Sequence, residues 1–99
     1  SGGARPWLGM NSEQVDNHVV VSRVLPDFPA DHSGLKRGDI ILGIGGDSIG
    51  SQSEFYERLW ASGAAGGDIT LHIVRNRVVR HLIVETSDRL SYLKPWRLT

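Results

Sequence analysis

The sequence contains no cysteine, and its eleven basic and eleven acidic residues cancel at pH 7. The missing thiols exclude disulfides and thiolate metal sites, and they leave the redox compartment open. Zero net charge gives no reason to expect a polyanionic partner, so we predict no nucleic-acid binding. Every apolar run is far shorter than the roughly 18 residues that a membrane span needs, so we predict no direct membrane insertion.

The composition that remains is typical of one soluble globular domain. The 99 residues are 39% hydrophobic and 22% charged, which suits a single hydrophobic core. The start of the chain has neither a basic nor an apolar stretch. We therefore interpret residues 1–4 as a linker or a cloning remnant.

Two runs of β-branched and aliphatic residues, 18–25 and 40–44, predict strands. Pro26 and Pro29 end the first run, because proline cannot donate a hydrogen bond to a sheet. Residues 30–34 then predict one short helical turn closed by a glycine.

The second half of the chain changes its hydrophobic period once. Apolar residues at helical spacing from Ser53 to Ala61, followed by Gly63, predict an amphipathic helix. Alternating apolar residues from 69 to 84 predict a hairpin that turns at Asn76–Arg77. The fold class is therefore α+β and mainly β: a small, partly open antiparallel barrel or sandwich of about five strands, capped by two helices.

Two motifs carry a resemblance to a known family. Trp7–Met10 resembles the hydrophobic-Gly-hydrophobic carboxylate-binding loop of PDZ domains, and Gly34–Ile41 resembles their G-L-x-x-G-D-x-I segment. The order of the motifs is similar to the PDZ domains that follow the protease domain in bacterial HtrA-type serine proteases. The resemblance covers residues 5–86 and implies a peptide-binding module. Residues 87–99 are then an extension that packs on the domain or on a neighbour.

The resemblance implies a site for the carboxylate of a peptide at Leu8, Gly9 and Met10. A glycine there is physically reasonable, because successive backbone N–H groups converge on an anion only where a Cβ is absent. Arg5 adds positive charge through water, and the ligand extends as an added strand along Met10 to Ser12.

The predicted helix forms the facing wall of this groove. Two registers remain open: Tyr56 with Trp60, or Gln52 with Tyr56 and Leu59. An apolar terminal pocket predicts an apolar last residue in the ligand. The complete predicted peptide site comprises Arg5, Trp7, Leu8, Gly9, Met10, Asn11, Ser12, Tyr56, Leu59 and Trp60.

The function implied by the resemblance is capture of a free C-terminus or an extended segment, for substrate recruitment to an attached serine protease or for its regulation. That protease domain would lie upstream, the compartment would be the bacterial periplasm or cell envelope, and the fragment itself would be no enzyme and need no cofactor. The alternative is a scaffold or assembly domain that binds a folded partner through its hydrophobic C-terminal segment, with Leu93 and Trp96 as the contact.

Three other patterns have structural interpretations. Gly46–Gly50 matches G-x-S-x-G, but too little chain follows it for the hydrolase fold that this motif serves, and we interpret it as a turn. His72 and His81 face each other in the predicted hairpin, yet two ligands rarely hold a metal, so we predict no metal site. We interpret Arg75, Arg77 and Arg80 as a solvated hairpin tip.

Overall fold

The computed structural model describes the backbone of residues 6–61, 68–85 and 87–88, and the side chains of 8–61 and 68–85. The predicted linker 1–4, Arg5, and the contact proposed at Leu93 and Trp96 lie outside the described residues. The elements in chain order are β1 (Pro6–Trp7), β2 (Met10–Val15), β3 (His18–Val24), α1 (Pro29–His32), β4 (Ile40–Ile44), β5 (Asp47–Ser48), α2 (Gln52–Ala61), β6 (Asp68–Arg75), β7 (Val78–Glu85) and β8 (Ser87–Asp88).

The strands form one large antiparallel sheet and one very short one. The large sheet has six strands in the order β2-β3-β4-β6-β7, and β5 pairs with β4 beside this path. The short sheet joins β1 to β8. This arrangement confirms the predicted fold class, and it puts β2 at an edge of the sheet.

The core lies on one face of this sheet, because inward and outward side chains alternate along the strands. On β6, for example, Ile69, Leu71 and Ile73 are buried and the residues between them are not. Phe55 and Leu59 of α2 pack into the same hydrophobic cluster. Each such side chain contributes about 1.5–3 kcal/mol relative to an exposed one, so the core fixes the position of α2 against the sheet.

Local hydrogen bonds define where α2 begins. The Ser51 hydroxyl oxygen accepts the amide N–H of Glu54 at 3.1 Å, and the Glu54 carboxylate accepts the amide N–H of Gly50 at 2.8 Å. Such reciprocal capping satisfies donors that a helix start leaves without partners. In the part of the chain that the structure describes, no helix is long and apolar enough to cross a membrane.

The turn between α1 and β4 contains the second motif. Gly34 and Gly38 both have φ of +92°, a conformation that glycine adopts without a steric penalty. The side chain of Asp39 is 1% exposed; it accepts the amide N–H of Lys36 at 2.8 Å and two guanidinium hydrogen bonds from Arg75, at 2.8 and 2.6 Å. The backbone of the motif is therefore held by a hydrogen bond to the side chain of its own aspartate, Asp39.

The interpretation of Arg75 as part of a solvated tip is wrong, because its guanidinium is held by Asp39 and by the carbonyl of Gly34. The hydrogen bond to Asp39, together with Coulombic attraction, raises the pKa of Arg75 above its ordinary value. A group whose pKa is raised on folding contributes stability that is lost only as the pH rises through the raised value. Arg75 thus stabilises the fold across the whole physiological range, whereas Arg77 and Arg80 are exposed.

Candidate functional site

The loop Leu8–Met10 turns its carbonyl groups inward. Gly9 has φ of +75°. The carbonyl of Leu8 accepts the amide N–H of Ala30, and the carbonyl of Gly9 accepts that of Leu25, each at 2.9 Å. Among the described residues, the amide N–H groups of Leu8 and Gly9 have no acceptor. The loop is thereby anchored through its oxygens, and its donors remain available.

Gly9 is required for a second reason, which is its contact with Phe28. A Cβ at position 9 would lie 2.3 Å from Phe28 Cβ and 2.8 Å from Phe28 Cγ, closer than real Cβ atoms approach. The sequence analysis did not single out Phe28, and it read residues 26–29 only as a break between elements. Pro26 and Pro29, at the two ends of this segment, do not indicate that Phe28 contacts Gly9.

Three predicted site residues belong to the hydrophobic core. Leu8, Met10 and Leu59 are all buried members of the same hydrophobic cluster. They come from the loop, from the first residue of β2 and from α2.

The outer wall is a row of residues spaced four apart on α2. Tyr56 is partly buried, its ring lies 5.9 Å from that of Trp60, and Trp60 is 41% exposed. Leu59 faces the core, as expected for the register that pairs Tyr56 with Trp60. Gln52 nevertheless faces β2, as in the other register, so the row runs Gln52, Tyr56, Trp60.

Gln52 connects this helix to the edge strand. Its side-chain amide donates to the carbonyl oxygen of Ser12 at 2.9 Å and to the Ser12 hydroxyl at 3.0 Å. The side chain of Gln14 accepts the amide N–H of Gln52 at 2.8 Å and donates to the carbonyl of Gly50 at 2.9 Å. The far end of the groove is therefore bridged by side chains, which the sequence analysis did not foresee.

The remaining predicted residues are placed as follows. Asn11 is exposed and Ser12 half-buried on β2. The backbone of Trp7 lies in β1, where it pairs with Ser87. The structure thus joins Ser12 to the α2 row through Gln52, and Arg5 lies outside the described residues.

Among the residues that the structure describes, none forms a catalytic arrangement with the serine of the G-x-S-x-G match. Ser48 is exposed in β5 and lines a pocket of about 220 Å³ together with Asp47 and His72. The Nε2 atom of His72 lies 2.7 Å from the carbonyl oxygen of Gly45, and within the described residues neither Ser48 nor Asp47 is hydrogen-bonded to a histidine. No group of three or more potential metal ligands occurs in that same part of the chain.

Comparison with known proteins identifies the family of this chain. The family model described as "PDZ domain" matches residues 6–86. A probable periplasmic serine endoprotease, DegP-like, from Marinomonas sp. is 41% identical over 63 residues, which cover 52% of this chain and 13% of the relative. A protein of the same description from Halomonas elongata is 29% identical over 97 residues, 86% of this chain and 20% of the relative.

A solved structure described as the HtrA-type protease AlgW with decapeptide has the same fold. Its TM-score is 0.79 at 24% identity, with 87% of this chain and 30% of that chain covered. The chain spans at most a fifth of the curated relatives' length, and a PDZ domain is itself a non-catalytic module. The matched residues include both motifs and the groove between β2 and α2, and the chain belongs to the PDZ domain family.

Proposed function

We propose that this domain captures the free C-terminus of another polypeptide by β-strand addition between β2 and α2. The observation that carries the proposal is the pair of amide N–H groups at Leu8 and Gly9, which have no acceptor among the residues that the structure describes. A carboxylate supplies oxygens for such donors, and charge-assisted hydrogen bonds are stronger than neutral ones. A zero net charge does not weaken this argument, because backbone dipoles provide the attraction.

The edge position of β2 supports an added strand. In an antiparallel pair, hydrogen-bonding residues alternate, so a ligand whose carboxylate lies at the loop bonds first to Met10 and next to Ser12. The carbonyl of Ser12 accepts a hydrogen bond from the side-chain amide of Gln52. A ligand long enough to reach Ser12 would compete with this side chain for the carbonyl oxygen.

The side chains of the loop, of β2 and of α2 would determine which ligand side chains bind. Leu8, Met10 and Leu59 are apolar and buried, so the last ligand residue should be apolar. Tyr56 lies on α2 between Gln52, which contacts Ser12, and Trp60, so it would contact a residue further from the ligand C-terminus than Trp60 does. We expect micromolar affinity, because few ligand residues are buried and each loses conformational freedom on binding.

The names of the relatives support a role in proteolysis. Two of them are named as periplasmic serine endoproteases, and the solved neighbour carries a decapeptide. We infer that the domain recruits substrates to an attached serine protease, or regulates it, in the bacterial periplasm or cell envelope. The free C-terminus of a substrate or of a signalling polypeptide would be the ligand.

The test compares a short synthetic peptide ending in valine with the same peptide amidated at its C-terminus, by isothermal titration calorimetry. Loss of the charge-assisted hydrogen bonds should cost about 2 kcal/mol, or about thirtyfold in affinity. Amide chemical shifts of Leu8, Gly9 and Met10 should change only with the free acid. Equal binding of the two peptides would contradict capture of a carboxylate.

A further inference from the structure

Two histidines face each other on the outer surface of the sheet, away from the groove. His72 of β6 and His81 of β7 are directly paired, and their ring centroids lie 4.5 Å apart at an angle of 83°. Their neighbours Leu71 and Ile73 are buried, so His72 is on the opposite face from the core. Two features of the His72 ring, its protonation and its orientation, bear on whether the pair can bind a metal ion.

The first feature is the protonation of the His72 ring. Its Nε2 atom lies 2.7 Å from the carbonyl oxygen of Gly45. A carbonyl oxygen only accepts hydrogen bonds, so Nε2 is the atom that bears the proton. The neutral ring then has its lone pair on Nδ1, and metal-binding histidines in proteins are held in this way by a backbone carbonyl.

The second feature is the direction of that lone pair. The Cδ2 atom of His72 lies 3.6 Å from the position that a Cβ on Gly43 would occupy. Cδ2 and Nε2 are adjacent ring atoms, and both face β4 or the turn that follows it, at Gly43 and Gly45. Nδ1 is the ring atom opposite the Cδ2–Nε2 edge, so it faces away from β4. That is the side of β6 on which β7 lies, where His81 is paired with His72.

We propose that His72 Nδ1 and a ring nitrogen of His81 together bind a divalent transition-metal ion, with water in the remaining coordination positions. Imidazole suits Cu²⁺, Ni²⁺ and Zn²⁺, and among these Cu²⁺ is expected to bind most tightly. His81 is exposed, so its ring can turn to complete the pair at little cost. The ion crosslinks β6 to β7 and leaves the peptide groove unchanged.

The test is isothermal titration of the chain, without an affinity tag, with CuCl₂ and separately with ZnCl₂. We expect saturable one-to-one binding, and we expect His72→Asn and His81→Asn each to weaken it at least about tenfold, since loss of even an outer-sphere partner costs that much. The matched control is the double variant His18→Asn/His32→Asn, because both of these histidines are exposed on other elements. It should bind as the parent does.

Histidine ring ¹⁵N spectra of the Zn²⁺ complex provide a second readout. The Nδ1 resonance of His72 should shift while its Nε2 keeps its proton, as the Gly45 hydrogen bond requires. Undiminished binding in His72→Asn and His81→Asn, loss of binding in the His18→Asn/His32→Asn control, or no saturable binding in the parent would each overturn the proposal. Circular dichroism of every variant confirms that it is folded.

Discussion

The loop at Gly9 and the turn at residues 34–39 both hold glycine at positive φ, yet they use their hydrogen bonds in opposite ways. In the turn, the amide N–H groups of Lys36, Gly38 and Asp39 all find acceptors within the domain. In the loop the carbonyls are bonded, and the amides of Leu8 and Gly9 have no acceptor in the part of the chain that the structure describes. A buried donor without an acceptor costs free energy that a bound acceptor would recover, so the turn stabilises the fold, whereas the loop has the donors that the proposed ligand would need.

The largest effect is expected from opening the turn. Arg75→Ala leaves the carboxylate of Asp39, 1% exposed, without its charge partner, and should lower the free energy of unfolding by about 3 kcal/mol. Urea denaturation measures this loss. Arg77→Ala is the control: Arg77 is exposed at the hairpin tip, so its loss should cost within about 0.5 kcal/mol. Equal losses in the two variants would contradict the structural role of the turn.

A substitution in the loop should lower the stability of the domain less than Arg75→Ala does, and it should also weaken peptide binding. Gly9→Ala introduces a Cβ at φ of +75° and against Phe28, so the loop must move. We expect a loss of about 1–3 kcal/mol in stability and at least about a tenfold loss in peptide affinity.

The matched control for that variant is Gly45→Ala. Gly45 also has positive φ, +60°, but a Cβ there meets nothing within 4 Å. It should lose stability through backbone strain alone and bind peptide with the parent affinity, as titration calorimetry can measure. Undiminished peptide affinity in Gly9→Ala would remove the loop from the site.

The smallest effect concerns the side-chain bridge across the groove. Gln52→Ala frees the carbonyl of Ser12, and a peptide that reaches Ser12 should then bind a few-fold more tightly, corresponding to about 1 kcal/mol. Gln14→Ala breaks the neighbouring contacts to Gln52 and Gly50 but leaves the Ser12 bond in place, so it should leave affinity unchanged. A weaker peptide affinity in Gln52→Ala would mean that Gln52 contacts the ligand instead.

Local pattern was enough to predict the strands with inward aliphatic residues. The β-branched run of β3, the Ile40–Ile44 strand and the tight turn at Asn76–Arg77 were all predicted, and both turn residues have positive φ, as a two-residue hairpin requires. The limits of α2 agree within one residue. β2 was predicted only as an edge at Met10 to Ser12, because Glu13, Gln14 and Val15 are exposed and show no alternation of buried and exposed positions.

Long-range polar contacts were out of reach of any local pattern. The Asp39–Arg75 pair is separated by 36 residues and the Gln52–Ser12 contact by 40. Neither partner sits at a spacing that would indicate the other. The Gly9 loop was identified through family resemblance. The close contact of Gly9 with Phe28 depends on how the chain returns after β3, which local sequence does not indicate.

The pairing of β1 with β8 has a mechanical consequence for the domain. Among the described residues, two pairs join these strands, Pro6 with Asp88 and Trp7 with Ser87. A tensile load applied to the two ends peels this short ladder apart one pair at a time, which demands little force. The load next reaches Leu8 and Gly9, whose carbonyls are bonded to the amides of Ala30 and Leu25, so tension applied through β1 acts directly on the loop.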